Sequence, residues 1–312
     1  MSDAVLTLIA AAVSPEFRIS SGASRLGAAV AALRDTLATL GARVGGIDWL
    51  AADRACDLHY RDLDPDQADA GARHLLATAF SDLVADIVVQ PSAGRRKALL
   101  VADMESTIIE NEMLDELAEF LGLRDQVSEI SRRAMNDEID FAAALKARVA
   151  LLAGMEATRL AEAATRIRIM PGAAALVATM RAHGSHAALV SGGFTVFTEP
   201  VRQALGFDGA VANELIVENG RLAGTVREPI VTRETKLAVL KSLAAERGHP
   251  LSACLSVGDG ANDLPMLEAA GLGVAFRAKP AVAARARIRI DHCDLTALLY
   301  AQGYRQSEVR EA

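Results

Sequence analysis

The residues best suited to chemistry lie in three short signatures, each following an apolar run of strand length. Asp103-Met104-Glu105-Ser106-Thr107 follows Ala98–Ala102, and Ser191-Gly192-Gly193 follows His186–Val190. Gly258-Asp259-Gly260-Ala261-Asn262-Asp263 follows Ala253–Val257. In an open parallel sheet, ligands bind outside the carboxyl ends of the strands, so three such ends would share one crevice. Carboxylates gathered there make a hard oxygen-donor site, suited to magnesium with retained waters. One acid at a strand end is more often a helix cap. Three signatures after three apolar strands reverse that balance.

The elements that must position these residues follow from the apolar pattern. From residue 98 onward, strands alternate with helices, which predicts a mainly parallel, doubly wound α/β sheet. Helices are expected after Pro171-Gly172, up to Gly206 and over 233–247. Asn219-Gly220 between apolar runs predicts a hairpin within Val211–Val226. A block of helical periodicity at about 110–165 interrupts the alternation just after its first strand and reads as an inserted cap. The first ninety residues have another rhythm. Val5–Ala12 is an apolar strand, and Leu26, Val30, Leu33, Leu37 and Leu40 form one helical stripe that Gly41 ends. Val44–Leu50 is a second strand. In a third, Cys56, Leu58 and Tyr60 point inward and Asp57, His59 and Arg61 outward. A helix starting at Asp64-Pro65-Asp66, with Leu75, Leu76, Ala79 and Leu83 on one face, and a strand at Asp86–Val89 complete β-α-β-β-α-β. That is a small α+β ferredoxin-like unit over residues 1–90. Residues 91–97, with Arg95-Arg96-Lys97, read as a solvated linker, 98–303 as the second domain and 304–312 as a tail.

Composition narrows the field. The chain has 312 residues, 51% hydrophobic and 23% charged, which is ordinary for a folded protein of two domains. Its net charge of −7 argues against nucleic acid as a partner, and no apolar stretch is long enough for a membrane span. The start of the chain, with Asp3 and no basic segment before its apolar run, reads as a strand rather than a secretory signal. Cys56, Cys254 and Cys293 lie far apart without CxxC spacing, which suits a reducing cytoplasm rather than a disulfide framework or a zinc site. The six histidines show no ligand spacing. Gly258-x-Gly260 lacks the rest of a dinucleotide fingerprint. Trp49 and Cys254 read as packing.

Taken together, DMESTIIENE from 103, KARVALL from 146, VSGGF from 190, Lys236 and VGDGANDLPM from 257 resemble the haloacid-dehalogenase superfamily of phosphatases, in particular its phosphoserine-hydrolysing branch. The resemblance covers about 97–303. It implies a phosphatase that releases serine from O-phosphoserine as the last step of serine biosynthesis, with Asp103 as nucleophile. It implies Mg2+ held by Asp103, Asp259 and the backbone carbonyl of Glu105. Ser191, Gly192, Lys236 and Asn262 would cradle the phosphate, with Asp263 in support. Glu112 would meet the substrate ammonium and Arg148 its carboxylate, while Met135 and Phe141 would line an apolar wall. Taken alone, Glu112 and Arg148 would read as solvated helix charges, and Met135 and Phe141 as cap core. Position 105 departs from the family, where the acid/base is Asp: Glu105 keeps the carboxyl group on a stem one methylene longer.

Two other functions stay in view from sequence. A phosphotransferase would pass the phosphoryl group to an alcohol such as homoserine. Residues 1–90 resemble ACT domains in topology, which would make them an amino-acid sensor beside a weakened phosphatase, or a homodimerisation unit.

Overall fold

The computed structural model describes residues 3–11, 25–135 and 139–311, with the Met135 side chain excluded. The front part runs β1 (Ala4–Ala10), α1 (Arg25–Thr39), β2 (Arg43–Ala51), β3 (Ala55–Arg61), α2 (Pro65–Ala79) and β4 (Ala85–Pro91). Its strands form an antiparallel sheet in the order β2-β3-β1-β4. This is the ferredoxin-like arrangement expected from the element order. The expected first strand ended at Ala12, which lies outside the described residues.

Every residue of β1 is buried, because both faces of this sheet are covered. Leu6 and Leu8 share a core with Leu26, Val30, Leu33 and Leu37 of α1, while Ile9 on the other face joins the main core. The alternation in β3 holds, but its outward face does not meet solvent throughout. Asp57 is only 1% exposed and forms an ion pair with Arg95 at 2.6 Å. Thr7 Oγ1 donates to the same carboxylate at 2.6 Å, and Arg95 also donates to the carbonyls of Tyr300 and Ala301. Arg95 and Lys97 are therefore not a solvated linker. Both are buried, and only Arg96 is exposed, beside Glu308. Two further expectations fail here. Leu40 lies past the end of α1 and is exposed, and Trp49 on the sheet edge is more than a third exposed.

The second part continues with β5 (Leu99–Ala102), then α3 (Met113–Glu119), α4 (Arg124–Met135), α5 (Phe141–Ala150) and α6 (Thr158–Ala164). Next come α7 (Ala173–Ala182), β6 (His186–Phe194), α8 (Thr195–Leu205) and β7 (Gly209–Asn213). The hairpin β8 (Leu215–Glu218) and β9 (Arg221–Val226) leads to α9 (Arg233–Glu246) and β10 (Cys254–Gly258). The chain ends with α10 (Leu264–Ala269), β11 (Leu272–Phe276), α11 (Pro280–Ala283), β12 (Ile288–Ile290) and α12 (Ala297–Ala301). Six strands form one parallel sheet, β12-β11-β10-β5-β6-β7. The expected hairpin is shorter than the run 211–226. Asn219 and Gly220, both at positive φ, turn β8 into β9, whereas residues 209–213 join the main sheet as its edge.

The helical block α3–α6 leaves the sheet after β5 and returns through an isolated bridge between Ile109 and Ile169. At the return, Gly172 has φ +83°, and a Cβ there would stand 2.6 Å from the backbone nitrogen of Thr296. Only glycine suits that position. The three cysteines are free and buried. Among the described residues, no helix is long and apolar enough to cross a membrane.

Candidate active site

The winding direction of the sheet reverses at β5. From β5 the chain moves outward through β6 and β7, then crosses back to build β10, β11 and β12 on the other side. Such a reversal opens a crevice at the carboxyl ends of the central strands. Asp103 follows β5 and Asp259 follows its neighbour β10, and the ladder extends one step further through Asp103 N to Val257 O at 2.9 Å. Ser191 and Gly192 stand at the end of β6, on the other side of β5.

Oxygen atoms of Asp103, Asp259 and Asp263 lie within 4.8 Å of one another, and all three residues are buried. Lys236, in the first turn of α9, enters this cluster fully buried. Its Nζ donates to Asp103 Oδ1 at 2.7 Å and Asp263 Oδ1 at 2.6 Å. A capping box between Thr232 and Thr235 fixes the helix start that aims it. Asp263 Oδ2 accepts from Gly260 N at 3.0 Å. A Cβ on Gly258 would stand 2.4 Å from the Asp263 carboxyl carbon, which accounts for the glycine before Asp259. Burial and the carboxylates of Asp263 and Asp259 push Asp103 upward against the pull of Lys236. Burial likewise raises Asp259 to about 6. For Lys236, burial opposes the charge, but the two carboxylates it touches outweigh it and raise its pKa. Buried carboxylates that repel one another in this way, all offering hard oxygen atoms, fit a divalent cation.

Glu105 lies between the sheet and the cap. Its Oε1 accepts from Met113 N, the first residue of α3, at 2.9 Å. Burial, then Glu112, push its carboxyl up to about 8, with the Met113 amide and Arg148 acting the other way. The longer side chain fits because residue 193 is glycine: a Cβ there would stand 3.0 Å from the Glu105 carboxyl carbon and from each of its oxygens. Glu112 is exposed at the start of α3 and accepts from Ser106 Oγ at 2.7 Å. Arg148, on α5, donates to Ser131 Oγ at 3.2 Å. Burial lowers its pKa, while Glu105, Glu112 and Asp115 favour its charge.

Phe141 and Asn262 converge on Gly192. Phe141 Cζ lies 3.3 Å, and Asn262 Nδ2 3.9 Å, from where a Gly192 Cβ would stand. Ser191 is buried, and its Oγ accepts from Gly193 N at 2.9 Å. The Met135 side chain lies outside the described residues. The fold thus brings together the residues expected from sequence, apart from that one. Sequence reasoning missed Asn213 and Lys279. Asn213 ends β7, donates to Gly192 O at 2.7 Å and accepts from Val231 N at 2.8 Å. Lys279 follows β11, with Nζ 3.4 Å from Asp259 Oδ2. Both lie just past or at the ends of parallel strands, so extending the strand-end rule to β7 and β11 would have found them.

Comparison with known proteins agrees with this geometry. The model of the haloacid dehalogenase-like hydrolases matches residues 100–268. A phosphoserine phosphatase of Streptomyces coelicolor is 43% identical over 242 residues, covering 77% of this chain and 59% of that protein. The chain thus spans less than two thirds of that relative's length. One from Lactococcus lactis is 44% identical, covering 65% of this chain and 94% of that one. In structure, a haloacid-dehalogenase-family hydrolase of Salmonella enterica serovar Typhi superposes with a TM-score of 0.81 at 26% identity, covering 96% of this chain and 98% of that one, so the front sheet and the main sheet are shared together. The chain belongs to the haloacid dehalogenase-like hydrolase family.

Proposed function

We propose that this chain is a Mg2+-dependent phosphatase that hydrolyses O-phospho-L-serine to serine and phosphate. The observation that carries the reading is Lys236, buried between Asp103 and Asp263 at the sheet edge where Asp259 also ends its strand, with Glu112 and Arg148 of opposite charge on the cap side. Asp103, Asp259 and the Glu105 carbonyl would hold the metal. When bound, Mg2+ supplies positive charge that lets a carboxylate approach a phosphate dianion.

The remaining steps belong to the chain's own residues. Lys236, the Ser191 hydroxyl, the Gly192 amide and Asn262 hold the phosphate oxygens. Glu112 pairs with the substrate ammonium and Arg148 with its carboxylate, for which a planar guanidinium is suited. Phe141 closes the apolar side. An Asp103 oxygen attacks phosphorus and the bond to the serine oxygen breaks, giving a phosphoaspartate. Glu105 gives its proton to the departing serine oxygen and then takes one from the water that hydrolyses the phosphoaspartate. Burial and the neighbouring Glu112 raise the Glu105 carboxyl, which favours the protonated form that the first of these transfers needs.

The division into residues 1–90, a connection at 91–97 and a phosphatase unit at 98–303 is part of this reading, supported by the two separate hydrogen-bonded sheets. The free, separate cysteines support a reducing, cytoplasmic setting.

Acid quenching of the enzyme with 32P-labelled phosphoserine tests the chemistry. The label is expected on the peptide carrying Asp103 and absent from Asp103→Asn. Full turnover by Asp103→Asn would exclude Asp103 as the nucleophile.

A further inference from the structure

Lys236 spends its ammonium on Asp103 and Asp263, while Asp259 faces a different cation. Lys279 enters from the solvent side: its side chain is 41% exposed against 7% for Asp259, and its Nζ stands 3.4 Å from Asp259 Oδ2. The backbone holds the two residues in register, through Lys279 N to Asp259 O at 3.2 Å. Burial works against the Lys279 charge, but Asp259, then Glu112 and Asp103, outweigh it and keep the ammonium firmly protonated. The two lysines therefore differ in freedom. Lys236 is locked in the interior, whereas Lys279 has a flexible stem and a partly exposed side chain that can swing away.

We propose that Lys279 stands in for the divalent cation on Asp259: in the metal-free site its ammonium holds that carboxylate facing the crevice, and metal entry displaces it. The inference rests on the metal site of the proposed function. Physically, an ammonium left beside Asp259 would repel an incoming dication. At about 5 Å in a largely aqueous medium, that repulsion weakens metal binding on the order of tenfold. Lys279 is thus a positioning residue that sets how tightly the empty site takes up its ion and prevents Asp259 from being an unpaired buried charge without it.

The test is calorimetric titration of the full chain with Mg2+ alone, without substrate, for the wild type, Lys279→Met and Lys279→Arg. Lys279→Met is expected to bind Mg2+ about tenfold more tightly, and Lys279→Arg, which keeps the charge, to match the wild type. A second readout uses the wild type only: acylation of Lys279 by an amine-reactive reagent, followed by mass spectrometry, should quicken when Mg2+ is added. Binding in Lys279→Met equal to or weaker than the wild type, or acylation indifferent to Mg2+, overturns the inference. No Mg2+ binding to the wild type itself would instead overturn the metal assignment beneath it.

Discussion

Gly193→Ala isolates the fit of Glu105. The added methyl would stand 3.0 Å from the Glu105 carboxyl carbon and both oxygens, where ordinary contacts begin at 3.4 Å. The carboxyl group must therefore move by a few tenths of an ångström, because the methyl is fixed to the backbone of β6, an inner strand of the sheet. A displacement of about 1 Å in a reacting group costs on the order of 10²-fold in rate, so a shift of about half that should cost about tenfold. Gly193 does not lie in the left-handed region, so the backbone accepts alanine there. The expected result is a kcat lower by about tenfold, with the urea unfolding midpoint nearly unchanged. The double-mutant cycle sharpens the test. Glu105→Asp shortens the side chain by one methylene and withdraws it from residue 193, so Gly193→Ala should cost little in that background. Equal losses in both backgrounds, or no loss in the wild-type background, would refute the argument that a missing side chain at 193 makes room for glutamate at 105.

Three further outcomes follow from the same geometry. Arg148→Lys should raise KM for phosphoserine by about tenfold or more, with little change toward a phosphate ester that lacks the carboxylate, because lysine cannot make the bidentate contact. Steady-state kinetics on both esters check this. Asp57→Ala strands the buried Arg95 guanidinium and should lower stability by about 3–5 kcal/mol in urea unfolding, without changing Mg2+ affinity. Removing divalent ions with EDTA should abolish turnover, and Mg2+ should restore it, because the cation supplies the positive charge that lets Asp103 approach the phosphate dianion.

Much of this was legible in the chain because the signals were local. Asn219-Gly220 acts within its own turn, and the apolar runs end directly at the acids they position. The site could be found because its acids end apolar strands, and strand ends in a doubly wound sheet converge. The failures were partly tertiary and partly at element ends. Asp57 and Arg95 are charged residues in segments that look exposed, and only the docking of the front sheet against α12 buries them. Leu40 completes an apolar period that the helix does not live to use, since it ends at Thr39. Lys279 carries no such local signal, because β11 is only five residues long and Lys279 follows it by three positions. The glutamate at 105 was legible as a departure, but its accommodation by Gly193 and its anchor on Met113 N depend on how the cap meets the sheet.

The most direct measurement is phosphate release from O-phospho-L-serine in the presence of Mg2+, beside sugar, nucleotide and threonine phosphates, with homoserine added in a parallel series. Preferred turnover of phosphoserine is expected, lost with EDTA, with serine and free phosphate as the products and no phosphorylated alcohol. Folded, Mg2+-loaded protein that leaves phosphoserine intact, or that delivers its phosphoryl group to homoserine instead of water, would contradict the proposed reaction.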